Sequence, residues 1–150
     1  MSEPSESPQL EQRMGYVLKQ VQAALHGAMD ERLRGHGLSV AQYACLELLA
    51  ETPGLSNAEL ARGAFVTRQA MNTVLRGLLA AGHVDRPAEA EYGRARPARL
   101  TDAGEALLAA ARADVVAIEE RMVTGLPRRR RRELLAELAA MARNLSGDSG

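Results

Sequence analysis

Aromatic side chains are scarce in this sequence: one phenylalanine, three tyrosines and no tryptophan among 150 residues. A core must therefore be assembled from Leu, Ala, Val and Met on helices, which the 46% hydrophobic content can supply for one domain or one subunit. Cysteine is limited to Cys45, which excludes an internal disulfide and a Cys-based zinc site. The histidines, His26, His36 and His83, stand singly, without the close spacing of a metal-binding pair. No metal or other cofactor is expected. No apolar run approaches the eighteen or so residues of a membrane span, and the start MSEPSESPQ lacks the basic and apolar regions of a signal peptide. A soluble cytoplasmic protein without a membrane partner is the expectation. Also missing are a phosphate-cradling glycine loop and a Gly-x-Ser-x-Gly elbow. The sequence therefore does not read as an enzyme.

Charge of one sign is lacking overall, since 19 basic residues balance 19 acidic ones. The balance is uneven along the chain. Residues 1–55 carry four basic and seven acidic side chains, residues 56–101 seven and four, and residues 102–150 eight of each. The positive excess falls on the middle segment, where it would favour phosphate contact. The excess is modest, so binding there should depend on shape and geometry as well as charge.

That middle segment, SNAELARGAFVTRQAMNTVLRGLLAAGHVDRPAEAEYGRARPARLT, spells two short helices, a turn and a charged hairpin. Ser56 and Glu59 form a capping box, so a helix begins near Asn57. Leu60, Ala61 and Ala64 share one face of it. Phe65 and Val66 then lead through an apolar turn to Thr67, a suitable N-cap for a second helix from about Arg68. Met71, Val74, Leu75, Leu78 and Leu79 recur there at three- and four-residue spacing, with Gln69, Asn72, Thr73 and Arg76 opposite. One face packs and the other is free.

The free face suits a major groove. Gln and Asn can bond adenine in bidentate fashion, Arg can do so with guanine, and Thr can bond a base or touch a thymine methyl. Recognition helices read mostly near their N-termini, which adds Thr67 and Arg68 to the set. The plain alternative for the helix alone is a solvated amphipathic surface. The segment after the helix tips the balance toward DNA reading. Gly82 ends the helix, His83 to Arg86 read as a short strand, Pro87 to Tyr92 as a hairpin region and Arg94 to Thr101 as a returning strand. Gly93 allows a tight turn that projects Arg94, so Arg94 and Arg96 become candidates for minor-groove or phosphate contact with double-stranded DNA. Ordinary solvated charge is the competing reading, most of all for Arg96 beside Pro97. The fold class is mainly α with a small β-hairpin wing: a winged helix-turn-helix over residues 39–101, between helices at 10–36 and 102–146.

The run LARGAFVTRQAMNTVLRGLLAAGHVDR, followed by GRARPARLTDAG, resembles the signature region of MarR-type transcriptional regulators, and the order of elements matches from about Leu10 to Leu145. The most specific pieces are the hydrophobic-Thr-Arg-Gln entry, the LLAAGHVDR exit and the LTDAG start of the next helix. The resemblance carries the wing-tip arginine over to Arg94. One departure is PAEAEYGRA, where many members have an Asp-rich wing with an Asp-x-Arg pattern. Glu91 is the nearby acid, and the usual acid that orients the tip arginine has no assigned counterpart.

Three helical segments outside the reading module carry narrow apolar seams: Leu10, Met14, Val17, Val21, Ala24 and Ala28; Leu108, Ala111, Val115, Ile118 and Met122; and Leu134, Leu138, Met141 and Leu145. Such stripes pack inside a subunit or across a partner. A homodimer with interlocked ends would bury them economically, and the resemblance implies the same arrangement. Two recognition helices would then enter successive major grooves roughly 34 Å apart, on a pseudo-palindromic operator.

The helix SVAQYACLELLAETPG, with Leu46, Leu49 and Ala50 as its expected core face, carries Cys45. A lone Cys among Ala44, Leu46 and Leu48 reads as a small buried hydrophobe; a redox sensor is the competing reading. The resemblance implies a small aromatic or phenolic effector in a crevice between dimer helices and reading module, with Tyr16 and Tyr43 as candidate lining residues and ordinary packing as the alternative for each. The run Arg128 to Arg132 points all round a helix and cannot form one contact face. It reads as a solvated first turn whose arginines pair with Glu119, Glu120 or Glu137. Together these features predict a homodimeric DNA-binding repressor released by a small molecule. The alternatives are a Cys45-based redox regulator, and a helical dimerisation adaptor whose winged helix binds protein.

Overall fold

A computed structural model of the chain describes residues 9–86 and 97–147. After a single 3-10 turn at Leu10–Gln12 come α1 (Met14–Arg34), α2 (Val40–Glu51), α3 (Asn57–Gly63), α4 (Arg68–Ala80), strands β1 (Val84–Asp85) and β2 (Arg99–Leu100), α5 (Asp102–Met122) and α6 (Arg128–Leu145). The strands pair antiparallel, Val84 with Leu100 and Asp85 with Arg99. The fold is thus helical with one small hairpin, as the sequence predicts.

The chain divides into two units, residues 1–118 and 119–150. The first holds one contiguous core. Leu33 and Leu38 enter from the end of α1 and the following loop, Tyr43, Cys45, Leu46 and Leu49 from α2, Leu60 and Ala61 from α3, and Met71, Leu75 and Leu78 from α4. Val84 and Ala98 close it at the hairpin, and Leu108, Ala111 and Val115 cover it from α5. Leu108, Ala111, Val115 and Ile118 of the α5 seam are therefore buried within the subunit, whereas Met122 at its end is exposed. Ala50, expected in the core, is exposed: the inward face of α2 follows Tyr43, Leu46 and Leu49, with Cys45 beside them.

Local chemistry fixes the helix starts. Ser39 and Gln42 form a capping box on α2, and Ser56 and Glu59 form one on α3. The start of α5 has a different device. The Thr101 hydroxyl accepts from the Gly104 N–H at 3.0 Å and donates to the Gly82 carbonyl at 2.6 Å, so one side chain both caps α5 and ties it to the end of α4. Gly82 itself has φ +79°, the left-handed geometry that glycine adopts without a Cβ clash.

Long-range polar contacts brace this frame. His36 Nε2 lies 2.7 Å from Asp114 Oδ2, with Arg32 3.8 Å from the same carboxylate. Arg112 grips Glu47 through two nitrogens, at 2.8 and 3.1 Å, and the Tyr43 hydroxyl donates to Glu47 at 2.6 Å. In the second unit, Arg129 and Arg130 pair with Glu133, and Arg131 pairs with Glu120 while donating to the Leu126 carbonyl. The arginine run is a solvated first turn, as expected. Of the three acids foreseen as partners only Glu120 is used, and Glu133 takes the larger share.

Candidate nucleic-acid interface

The candidate reading face is built on α4. Thr67 caps it, its hydroxyl accepting from the Ala70 N–H at 3.0 Å. Burial of Met71, Leu75 and Leu78 sets the rotation of the helix, and that rotation leaves Arg68, Gln69, Asn72, Thr73 and Arg76 exposed. Thr67, Arg68, Gln69, Asn72, Thr73 and Arg76 thus lie on one helix and its cap, as the sequence predicts. Arg94 and Arg96 lie outside the described residues, as does the hairpin region from Pro87 to Tyr92.

Two of these side chains besides Thr67 are engaged in hydrogen bonds within the protein. The Thr73 hydroxyl donates to the Gln69 carbonyl at 3.3 Å. Asn72 Oδ1 accepts from Asn57 Nδ2, which also reaches the Arg68 carbonyl at 3.5 Å. An amide oxygen has two acceptor sites. Asn72 can keep this bond and still offer a second lone pair and its NH₂ to an adenine edge, with its rotamer held in advance. Nothing in the sequence singles out Asn57. Its partner is fifteen residues away, beyond the reach of a capping pattern.

Arg86 is the second residue that sequence reasoning passes over. With Asn72, Leu75, Arg76 and Leu79 it lines a groove of about 320 Å³ beside the reading face. Its Nε is buried without a hydrogen-bond partner among the described residues. Two guanidinium groups thus make the flank of α4 electropositive, which suits an anionic backbone.

The turn between α3 and α4 differs from expectation. Phe65, expected in an apolar turn, is 93% exposed and adopts φ +59°. This left-handed conformation costs an ordinary L-residue roughly 1–2 kcal/mol. Leu60 and Ala61 before it and Val66 after it supply the packing instead.

The remaining candidates separate. Tyr43 is buried in the core, with its hydroxyl given to Glu47. Tyr16 is half-buried on α1, in a depression of about 280 Å³ shared with Leu10, Arg13, Gly15 and Lys19. Cys45 is fully buried, and burial pushes its thiol up to about 11, with Arg86 opposing weakly. At neutral pH it is a protonated apolar side chain, not a reactive thiolate. Among the described residues no group of three or more His, Cys, Asp or Glu is placed to hold a metal ion. No helix among them is long and apolar enough to cross a membrane.

A capped helix with one packed and one polar face, preceded by a short helix and followed by a hairpin, is a winged helix-turn-helix. The profile of the MarR family matches residues 36–95. The HTH-type transcriptional repressor Rv2887 of Mycobacterium tuberculosis strain H37Rv is 47% identical over 120 residues, which cover 80% of this chain and 86% of that protein. The chain belongs to the MarR family. Solved structures agree: that of the M. tuberculosis MarR family protein Rv2887 in complex with salicylic acid superposes with a TM-score of 0.73 at 42% identity, covering 91% of this chain and 98% of that one. Rv2887 in complex with DNA gives 0.72 at 42% identity, covering 86% and 97%.

Proposed function

We propose that this MarR-family regulator is a cytoplasmic homodimeric repressor that holds a pseudo-palindromic operator through Thr67, Arg68, Gln69, Asn72, Thr73 and Arg76, with Arg94 and Arg96 of the wing on the minor groove or phosphates. The observation that supports this reading is the rotation of α4: burial of Met71, Leu75 and Leu78 leaves Arg68, Gln69, Asn72, Thr73 and Arg76 on the open side. Residues 39–101 form the reading module, and 10–36 and 102–146 the dimerisation helices. Exposed apolar side chains support the assignment at both ends, Leu10, Met14, Val17 and Val21 in one and Leu135, Leu138 and Leu145 in the other. Their exposure in a single chain is a cost that a second copy would remove.

The relative solved with salicylic acid supports an aromatic acid as effector. Of the two tyrosines, Tyr16 is the one such a ligand can reach, and Arg13 and Lys19 beside it offer positive charge to a carboxylate. The ligand releases the operator by favouring a spacing of the two recognition helices that no longer matches the grooves. The depth of Cys45 argues against a redox trigger.

Selection from sheared genomic DNA at near-physiological salt tests the proposal. The wild-type protein should enrich a two-fold symmetric site, salicylate should reduce the yield, and an Asn72→Ala, Arg94→Ala double variant should lose the enrichment. No enrichment, or enrichment that the variant keeps, would overturn it.

A further inference from the structure

Phe65 is the only phenylalanine of the chain, and the structure spends it in an unusual place. It is almost wholly in solvent, so it adds nothing to the core. Its backbone is left-handed, where glycine would sit without strain. Folding alone therefore favours glycine over phenylalanine at this position. The neighbours are not those of an aggregation-prone patch: Arg62, Thr67 and Arg68 around it are exposed and polar or cationic. The position also stands two residues before the cap of α4, at the helix end that approaches the base edges in a helix-turn-helix.

We propose that Phe65 is a specificity-determining residue that reads DNA by apolar contact, its ring lying against a thymine methyl group at the edge of the major groove. Base edges there are otherwise donors and acceptors of hydrogen bonds, and the C5-methyl of thymine is the apolar group they present. Arg62 and Arg68, exposed three residues to either side in the chain, carry charge that can hold the adjacent phosphates, while the ring makes a contact that salt does not screen. The inference rests on the DNA-reading function proposed above and adds a thymine contact made from the turn before α4 to those made by the polar face of α4.

The test uses the full-length protein, the operator recovered by genomic selection, and the variant Phe65→Gly. Glycine accepts the left-handed backbone, so the variant should unfold at the same temperature as wild type or higher. It should bind the operator at least about fivefold more weakly, the scale of one lost base contact, with an unchanged slope of log affinity against log salt, because no ionic contact is removed. Replacing half-site thymines by uracil, which removes only the methyl, should identify a position that weakens wild type by a similar factor and leaves Phe65→Gly unaffected. Equal affinity of variant and wild type overturns the inference while leaving the DNA-reading function intact. Weaker binding by the variant with uracil effects identical in both proteins overturns the thymine contact. If wild type itself selects no DNA, both proposals fall together.

Discussion

The carbonyl oxygen of His83 occupies the space that any side chain on Gly104 would need: an ideal Cβ at Gly104 would lie 2.0 Å from it. The same carbonyl accepts the Thr101 N–H at 3.1 Å. The first turn of α5 is thus pressed directly on the backbone at the base of the wing, and the obstacle is main chain, which cannot swing aside. Gly104→Ala should destabilise the protein by about 2–3 kcal/mol, the upper range for overpacking, read from the midpoint of urea unfolding. A variant with wild-type stability would mean that the helix slides freely against the strand.

Asn57 bonds Asn72 across the gap between α3 and α4. Removing it should leave the recognition helix folded while freeing the Asn72 rotamer. We expect Asn57→Ala to weaken operator binding by about 1 kcal/mol, the net worth of a typical hydrogen bond, and to relax discrimination at the base proposed to meet Asn72. Binding measured against operators varied one base pair at a time checks this; a uniform loss at every position would assign Asn57 to general scaffolding.

Glu47 joins two side chains, Tyr43 of its own helix and Arg112 of α5. The Arg112 guanidinium holds its carboxyl below the ordinary value of 4.5 and the Tyr43 hydroxyl adds to the effect, against a smaller opposing push from burial. Because the folded chain gives up this proton more readily than the unfolded one, the associated stability is complete above about pH 4.5. It is lost as the pH falls through the depressed folded value. Glu47→Gln should lower stability at neutral pH and flatten its dependence on acid below that point, as followed by thermal unfolding across a pH series.

Cys45 lies fully inside, with its thiol raised to about 11. Peroxide at concentrations that oxidise exposed thiols should leave operator binding unchanged. Cys45→Ser should nonetheless destabilise by about 1–3 kcal/mol, since a hydroxyl buried without a partner carries a desolvation cost that a thiol does not. A peroxide response that disappears in the serine variant would restore the redox reading.

The parts of this molecule that are legible in its sequence are those decided over a few residues. Ser56 with Glu59 and Thr67 with Ala70 are contacts between residues three apart, so spacing alone places both helices of the reading module. The alternation on α4 fixes which side is buried. The features that escape a sequence reading depend on chain segments meeting from afar. Glu47 and Arg112 are 65 residues apart, His36 and Asp114 are 78 apart, and no local pattern distinguishes those charges from solvated ones. Ala50 fails as a core residue because a small side chain at the last turn of α2 fits either face equally. Phe65 departs from expectation for a different reason. Its hydrophobicity suggests burial, while the left-handed turn at the end of α3 points it outward.

Thr101 has a consequence for how motion passes through the protein. Its single oxygen atom joins the exit of the recognition helix to the entrance of α5. Neither helix end can shift without dragging or breaking that joint. A push on α5 is therefore delivered to the reading helix without first having to travel through the hydrophobic interior. The hydroxyl acts as a coupling pin, and valine, which has nearly its shape but no hydroxyl, would remove it and leave only the backbone contact at His83 between the two rods.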